Sequence, residues 1–196
     1  ASEIGLDAVS IAAALIHDVV EDNNEHSLER IKSEFGVKIA TIVDGLTKIS
    51  KLNSKGYSDV SIQAENYRKM LLTLNEDIRV IIIKIADRLH NMQTLSSMPY
   101  EKQVQKASET LYIYAPLAHR IGLYNIKTEL EDLGLKYTDP ENYNDISKKL
   151  IESKKDQDEY IEKFNSIINS TLTKEKLRYK IKGRTKSIFS IKNKMT

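Results

Sequence analysis

The chain has 196 residues, of which 40% are hydrophobic and 30% charged, and its formal net charge is only +2. This composition excludes an intrinsically disordered chain, and the small net charge argues against a protein that binds polyanions over its whole surface. The absence of cysteine excludes disulfide bonds and thiolate metal sites, so any metal ion must be held by histidine, acidic or amide side chains, or water. No apolar run approaches the ~20 residues that span a membrane.

The chain begins with Ala1 rather than with an initiator methionine. We therefore expect sequence upstream of Ala1, and targeting cannot be read from the residues given. The cytoplasm is the expected compartment.

Glycine and proline are scarce, with seven and three residues, which favours long helices over frequent tight turns. In the first half of the chain, the spacing of apolar residues predicts helices over residues 6–20, 37–46 and 62–74. Ser27 is the predicted N-cap of a further helix that runs to Phe35, and Gly36 is its predicted stop. The polar segment 51–58 is predicted to be a loop.

An unbroken apolar stretch follows Asn75, which is the predicted N-cap of the next element. The β-branched residues 80–83 favour a strand when they are considered alone. The stretch continues through Met92, which is long for a strand, so we predict a helix buried in the centre of a bundle. Asp87 lies within it, with Asn91 one turn further on the same face, and a buried acid is either paired or binds metal.

The second half of the chain continues the helical pattern. Further helices are predicted over residues 102–114, 125–136, 142–153 and 156–171, with Pro99, Pro116 and Pro140 between or near them. Scarce turns and repeated helical periods together predict an all-α helical bundle over residues 1–173.

The character of the sequence changes from residue 174 onward. Residues 177–181 alternate as a strand does, and a short helical pattern over 188–195 follows Gly183. This predicts the start of a second, α/β domain over residues 174–196, cut off at Thr196. All charged residues between 174 and 194 are basic except Glu175, which indicates either a phosphate-facing surface or a solvated basic face.

The first predicted helix gathers polar residues at its C-terminal end. Residues four apart share a helix face, so His17 lies over Glu21, and Asp18 lies over Asp22. The helix macrodipole disfavours acids at this end, and a fold tolerates them when a cation compensates. A His-Asp dipeptide alone is a weak signal, Glu21 and Asp22 alone fit a solvated helix end, and Asp87 alone fits an internal ion pair with Arg88. Together these features favour a site for a divalent metal ion.

Five longer strings resemble one known family. They are residues 14–22 (ALIHDVVED), 43–48 (VDGLTK), 64–70 (AENYRKM), 85–92 (IADRLHNM) and 113–122 (IYAPLAHRIG). In order and spacing they are similar to the hydrolase domain of RelA/SpoT-type stringent-response enzymes, within the HD phosphohydrolase superfamily. The resemblance implies an HD-domain helical bundle that hydrolyses guanosine tetra- and pentaphosphate to GDP or GTP and pyrophosphate, with a manganese ion.

The resemblance also assigns roles to individual residues. It implies metal ligation by His17, Asp18 and Asp87, handling of the attacking water by Glu21 and Asp22, and nucleotide contact by Asn91 and Thr94. Mixed imidazole and carboxylate ligands with open water positions suit manganese. Degenerate members of the family lack the His-Asp pair and the acidic pair, whereas this sequence has all four residues. The resemblance therefore implies a hydrolase-competent protein rather than one that only synthesises the nucleotide.

Two departures from the family pattern bear on completeness. The superfamily has a further metal-ligating histidine upstream of the His-Asp pair, and we expect it before Ala1. Residues 183–195 resemble the opening of the family's synthetase domain, where the residues matching Arg184, Lys186, Ser190 and Lys194 approach ATP phosphates. We expect no synthetase activity from these residues alone. The expected partners are an attached synthetase domain and a C-terminal regulatory region, with no membrane and no direct nucleic-acid binding.

Two alternatives to guanosine polyphosphate hydrolysis stay open at this point. One is an HD phosphohydrolase that acts on a different nucleotide. The other is a non-catalytic module that binds guanosine nucleotides and regulates an attached domain.

Overall fold

The computed structural model describes residues 5–22, 27–53, 77–181, 183 and 185–195, and helices are the only regular secondary structure in these ranges. The all-α prediction is therefore confirmed for the described part of the chain. In chain order the helices are α1 (Ala8–Asp22), α2 (Leu28–Phe35), α3 (Val37–Asn53), α4 (Ile78–Gln93), a 3₁₀-helix (Leu95–Ser97), α5 (Tyr100–Glu109), a π-helix (Thr110–Tyr114), α6 (Ala115–Arg120), α7 (Tyr124–Thr138), α8 (Pro140–Glu152), α9 (Lys154–Lys174) and α10 (Ile188–Met195).

Helix α4 lies at the centre of the bundle, where α1, α3 and α7 pack against it. Its apolar side chains Ile81, Ile83 and Ile85 are almost fully buried, which confirms the prediction of a helix rather than a strand. The predicted cap at Asn75 was wrong. Asp77 caps α4 by accepting a hydrogen bond from the backbone N–H of Arg79 at 2.9 Å, because a carboxylate at this position reaches the first free amides of the helix.

The N-terminal helices follow the predicted signals with one correction. Ser27 caps α2 by accepting from the backbone N–H of Arg30, and Gly36 ends it with a positive φ of 87°, a conformation that glycine adopts without strain. Helix α3 continues to Asn53, so the loop predicted from residue 51 was wrong for residues 51–53. The helical spacing of apolar residues continues through Leu46, Ile49 and Leu52, so the polar residues around Leu52 did not mark the end of the helix. The predicted helix over 62–74 lies outside the described residues.

A π-helix interrupts the segment that was predicted as one helix over 102–114. It follows α5 directly and buries Thr110, Ile113 and Tyr114. Across from it, Gly134 of α7 leaves room for the side chain of Leu111, because a Cβ at residue 134 would lie 2.6 Å from the Leu111 Cγ. The extra residue of the π turn thus changes which side chains face the core.

The C-terminal elements pack on α7 and α8. The predicted helix near the chain end is confirmed as α10, whose N-terminus is held by a 2.8 Å hydrogen bond from the backbone N–H of Phe189 to Oδ1 of Asp132. Burial raises the pKa of Asp132 above its usual range. Residues 177–181 form no strand, contrary to prediction, because no neighbouring strand exists among the described residues to pair with them. A synthetase domain beginning at residue 174 stays a prediction.

None of the helices in the described ranges has the length and apolar character required to cross a membrane.

Candidate functional site

His17 is a buried side chain on α1 with one ring nitrogen bonded and the other free. Nδ1 lies 2.8 Å from the carbonyl oxygen of Ala14, and because a carbonyl can only accept, Nδ1 carries the proton. In the neutral ring Nε2 then holds a lone pair. Nε2 is buried and has no hydrogen-bond partner among the described residues, although Oδ1 of Asp18 lies only 2.9 Å away.

This pair of atoms fits a metal cation. A lone pair on Nε2 and a carboxylate oxygen repel each other unless a positive charge lies near both. A backbone carbonyl that orients one ring nitrogen and leaves the other free is the arrangement found in metal-binding histidines. His17 is 5% exposed whereas the side chain of Asp18 is 65% exposed, so one donor is fixed and the other is open to solvent.

Glu21 and Asp22 occupy the final turn of α1, one turn after His17 and Asp18, as the sequence predicts. No basic residue lies in that turn, so no lysine or arginine there offsets the negative end of the helix macrodipole. Their side chains lie outside the described residues, and their catalytic role stays a prediction.

Asp87 lies on α4 with a partly exposed carboxylate. Oδ1 accepts a 3.1 Å hydrogen bond from Nδ2 of Asn91, which confirms that these two side chains lie together, and Oδ2 lies 3.7 Å from Nζ of Lys84. Thr94 is the C-cap residue of α4, and its hydroxyl donates to the carbonyl oxygen of His90 at 3.1 Å. The predicted nucleotide contacts Asn91 and Thr94 therefore occupy successive turns at the end of one helix.

The structure brings the predicted residues together as two pairs on two helices that pack against each other, α1 and α4. No group of three or more histidine or acidic side chains within reach of one ion occurs among the side chains that are described. A common ion for His17, Asp18 and Asp87 therefore stays a prediction.

A buried ion-pair cluster behind Asp87 was missed by the sequence reasoning. Nη2 of Arg88 lies 2.8 Å from Oε1 of Glu109, and the guanidinium lies 4.2 Å from the centre of the Tyr114 ring. Burial alone lowers the pKa of Arg88, but Tyr114 and Glu109 outweigh it and raise that pKa above its usual range. Burial also raises the pKa of Tyr114.

The residues that resemble a synthetase opening form a separate basic group at α10. The nearby ammonium group of Lys194 lowers the pKa of Lys186 below its usual value. Ser190 donates its backbone N–H to Oγ of Ser187 at 3.3 Å, in the first turn of α10. Lys186 and Lys194 are thus brought together, Ser190 lies in the same short helix, and Arg184 lies outside the described residues.

A groove of about 630 Å³ runs along the neighbouring face of α4, towards the start of α7. His90, Gln93, Tyr124 and Glu129 are among its lining residues, and Nε2 of Gln93 donates to Oε1 of Glu129 at 2.7 Å. Asp87 and Asn91 are not among them, so the groove does not coincide with the predicted metal site.

Comparison with known proteins identifies relatives over nearly the whole chain. A family model described as HD domain matches residues 1–124. The chain is 45% identical over 194 residues to a GTP pyrophosphokinase of Myxococcus xanthus, covering 98% of this chain and 26% of that protein. It is 43% identical over 194 residues to the guanosine-3′,5′-bis(diphosphate) 3′-pyrophosphohydrolase of Vibrio cholerae, covering 99% of this chain and 27% of that protein.

A protein of the same name in Aquifex aeolicus is 44% identical over 191 residues, covering 97% of this chain and 27% of that protein. The chain thus spans about a quarter of the length of the curated relatives it matches.

Proposed function

Because the chain belongs to the HD-domain family, and within it resembles the RelA/SpoT-type enzymes, we propose that it hydrolyses guanosine 3′,5′-bis(diphosphate) and its pentaphosphate analogue. Water adds to the 3′-diphosphate, and the products are pyrophosphate and GDP or GTP. The observation that carries this proposal is the free, buried Nε2 of His17 beside the carboxylate of Asp18. We propose that this hydrolysis removes guanosine tetra- and pentaphosphate, the signal nucleotides of the stringent response.

The donor set favours a manganese ion held by His17, Asp18 and Asp87. Imidazole and carboxylate donors without thiolates suit a hard divalent ion, and such an ion, when bound, acidifies a water molecule and offsets the charge of a diphosphate. The carbonyl of Ala14 keeps the His17 lone pair on Nε2, ready for the ion. Asn91 donates a hydrogen bond to Oδ1 of Asp87, whereas Oδ2 of Asp87 has only the longer, 3.7 Å contact with Nζ of Lys84.

Proton transfer is proposed for the acidic pair Glu21 and Asp22. A carboxylate that takes the proton of the attacking water contributes about 10²- to 10⁴-fold to the rate. Asn91 and Thr94, at the end of α4, are the proposed contacts of the nucleotide, because both present hydrogen-bonding side chains towards one end of the helix.

The full protein is proposed to extend beyond this chain. The relatives are about four times as long, some are named for GTP pyrophosphokinase activity, and Lys186 and Lys194 offer two adjacent positive charges for an anion. We propose that an attached synthetase domain and a C-terminal regulatory region follow, and that the present residues supply the hydrolase.

The test is an assay of the purified protein with manganese against guanosine tetraphosphate, deoxynucleoside triphosphates and cyclic nucleotides. We expect turnover of guanosine tetraphosphate to exceed that of the other nucleotides. His17→Gln should abolish manganese binding and turnover, whereas the exposed His119→Gln should leave both unchanged, because His119 contacts Tyr124 rather than the site.

Turnover of deoxynucleotides or cyclic nucleotides without turnover of guanosine tetraphosphate would assign a different substrate. Tight binding of guanosine nucleotides with no turnover of any nucleotide would assign a sensing module.

A further inference from the structure

The groove between α4 and the start of α7 is a cavity that the proposed hydrolysis does not use. Its volume of about 630 Å³ lies within the range of small-molecule pockets, which is roughly 300–1,000 Å³. Partly buried apolar side chains, Leu89, Leu123 and Ile126, form part of its lining. Asp87 and Asn91 do not line it, so the groove is distinct from the candidate metal site.

Glu129 places a carboxylate at this groove. Its Oε1 accepts a 2.7 Å hydrogen bond from Nε2 of Gln93, which joins α7 to α4. Gln93 is neutral, so the contact orients the carboxylate without cancelling its charge. Oε2 of Glu129 makes no hydrogen bond with any described residue, and the side chain is exposed. Because a carboxylate only accepts hydrogen bonds, a ligand that fits here must donate them.

Tyr124 supplies an aromatic ring at the same groove. Its ring packs edge-on against the imidazole of His119, with ring centres 5.5 Å apart and planes at 72°. This contact orients the ring, while 56% of the residue stays exposed. An exposed, oriented ring next to Leu123 and Ile126 is a surface on which a planar base can stack.

We propose that this groove binds a guanine base, which stacks on Tyr124 and donates hydrogen bonds to Glu129. Guanine carries N1–H and an amino group as adjacent donors on one edge, and each carboxylate oxygen can accept more than one hydrogen bond, so the contact with Gln93 leaves room for both. Adenine has an acceptor in the middle of the equivalent edge, which a carboxylate repels.

The groove recognises the base rather than the phosphates of a nucleotide. Neither lysine nor arginine is among its lining residues, so phosphate groups extend into solvent and add little to the affinity. The inference goes beyond the proposed function, because it requires neither manganese nor turnover.

The experiment is titration calorimetry of guanosine, adenosine and GDP without manganese. We expect guanosine to bind the parent protein with a Kd below about 1 mM and GDP to bind within about threefold of it. Adenosine should bind about tenfold more weakly, the scale of a lost hydrogen bond to a charged group. His17→Gln should bind guanosine as the parent does, because His17 does not line the groove.

Glu129→Gln tests the proposed recognition of the guanine edge. The amide oxygen of the new side chain can still accept from Gln93, but its NH₂ group opposes the donors of guanine. Guanosine affinity should fall about tenfold and the preference over adenosine should disappear, an effect that a purely structural role does not produce. Glu141→Gln removes an exposed acid in the first turn of α8 and should change neither value by more than about twofold.

Tyr124→Leu tests the stacking. It should weaken guanosine and adenosine alike, by about tenfold, because stacking does not depend on the identity of the base. Tyr112→Leu is the matched control, since Tyr112 is 70% exposed and does not line the groove, and it should leave the binding of both nucleosides unchanged.

Each contrary result is distinct. The proposal is overturned if the parent binds no guanosine up to about 1 mM, if adenosine binds equally well, or if Glu129→Gln retains full affinity and selectivity. Binding that needs manganese or disappears in His17→Gln overturns it as well and assigns guanosine to the candidate metal site. A parent that binds guanosine through Glu129 but hydrolyses no guanosine tetraphosphate retains the groove and loses the proposed function. Hydrolysis without guanosine binding in the groove gives the converse.

Discussion

Asp87 and Arg88 are neighbours on α4 but belong to two different regions, the candidate metal site and the buried ion-pair cluster. Arg88 belongs to the buried ion-pair cluster with Glu109 and Tyr114, where the opposite charges lie 2.8 Å apart and every side chain is almost completely buried. Asp87 belongs to the candidate metal site, where its carboxylate is partly exposed and is held by a neutral amide and a lysine at 3.7 Å.

The two regions differ in how their charges are stabilised: one set is paired within the protein, and the other is proposed to bind a metal ion. A buried charge is tolerated in a stable protein when its partner lies within hydrogen-bond distance. Arg88 and Glu109 meet this condition within the chain.

In the candidate metal site, the hydrogen bond to Asp87 comes from the neutral amide of Asn91, and the ammonium of Lys84 lies 3.7 Å away. Nε2 of His17 makes no hydrogen bond although the Asp18 carboxylate lies 2.9 Å from it, and we therefore propose a metal ion as the partner of these groups. The two regions should therefore respond to substitution in opposite ways.

The largest effect is expected in the candidate metal site. Asp87→Ala should remove manganese and reduce turnover by more than about 10³-fold, because even the outer partners of metal ligands are worth about 10- to 100-fold. Without metal, the thermal unfolding temperature should stay close to that of the parent, since the substitution removes a charge that has only weak partners. Manganese titration, turnover and thermal unfolding measure the three quantities. Unchanged hydrolysis in Asp87→Ala would remove Asp87 from the site.

The buried ion-pair cluster should show the reverse pattern. Glu109→Gln leaves the guanidinium of Arg88 buried without a counter-charge, and we expect a loss of about 3–5 kcal/mol in the free energy of unfolding. The remaining folded molecules should retain manganese binding. Urea denaturation at neutral pH measures the loss.

An exposed ion pair provides the control for Glu109→Gln. Lys149 and Asp145 lie 2.8 Å apart on the surface of α8, and Asp145→Asn should cost less than about 1 kcal/mol. The double variant Arg88→Met with Glu109→Met should be more stable than Glu109→Gln, because no charge then stays buried. Equal costs for the buried and exposed pairs would contradict the assignment of Arg88 and Glu109 to the fold.

The same contrast explains which parts of the molecule could be predicted from sequence. The site pairs lie within one turn of one helix, so the spacing of Asp87 and Asn91 was enough to place them together, and their hydrogen bond confirms it. Short contiguous sequence motifs also carried the resemblance to RelA/SpoT-type enzymes. Relatives at 43–45% identity confirm that resemblance. Ser27 and Gly36 were read correctly for the same reason, since capping depends on adjacent residues.

Interactions across the fold could not be predicted in this way. Glu109 lies on a different helix from Arg88, and the π-helix changes the register so that Tyr114 meets the guanidinium. A regular helical period over 102–114 gives no sign of that change. The strand predicted at 177–181 failed for a related reason, because alternation specifies a strand only where a partner strand exists.

The ion pair at the beginning of α4 is intermediate in exposure between the two regions. Its substitution is expected to change stability least. Asp77 is partly exposed, and Nη2 of Arg79 lies 2.7 Å from its Oδ2. The hydrogen bond from the Arg79 side chain, together with that from its backbone N–H, lowers the pKa of Asp77 below its usual value of 3.8. Because the carboxyl pKa is lowered on folding, Asp77 stabilises the folded protein at pH values above 3.8. This stabilisation is lost as the pH falls through the pKa that Asp77 has in the folded protein.

Arg79→Met should therefore be less stable than the parent by about 1 kcal/mol or less near neutral pH, since the pair is partly exposed. The difference should shrink as the pH falls below about 4, because a protonated Asp77 no longer attracts the guanidinium. Thermal unfolding of both proteins from about pH 6 to pH 3 measures the difference. Asp145→Asn, measured over the same range, controls for the general loss of stability in acid. A difference that stays constant down to the lowest pH would mean that Arg79 acts by packing its aliphatic stem rather than by its charge.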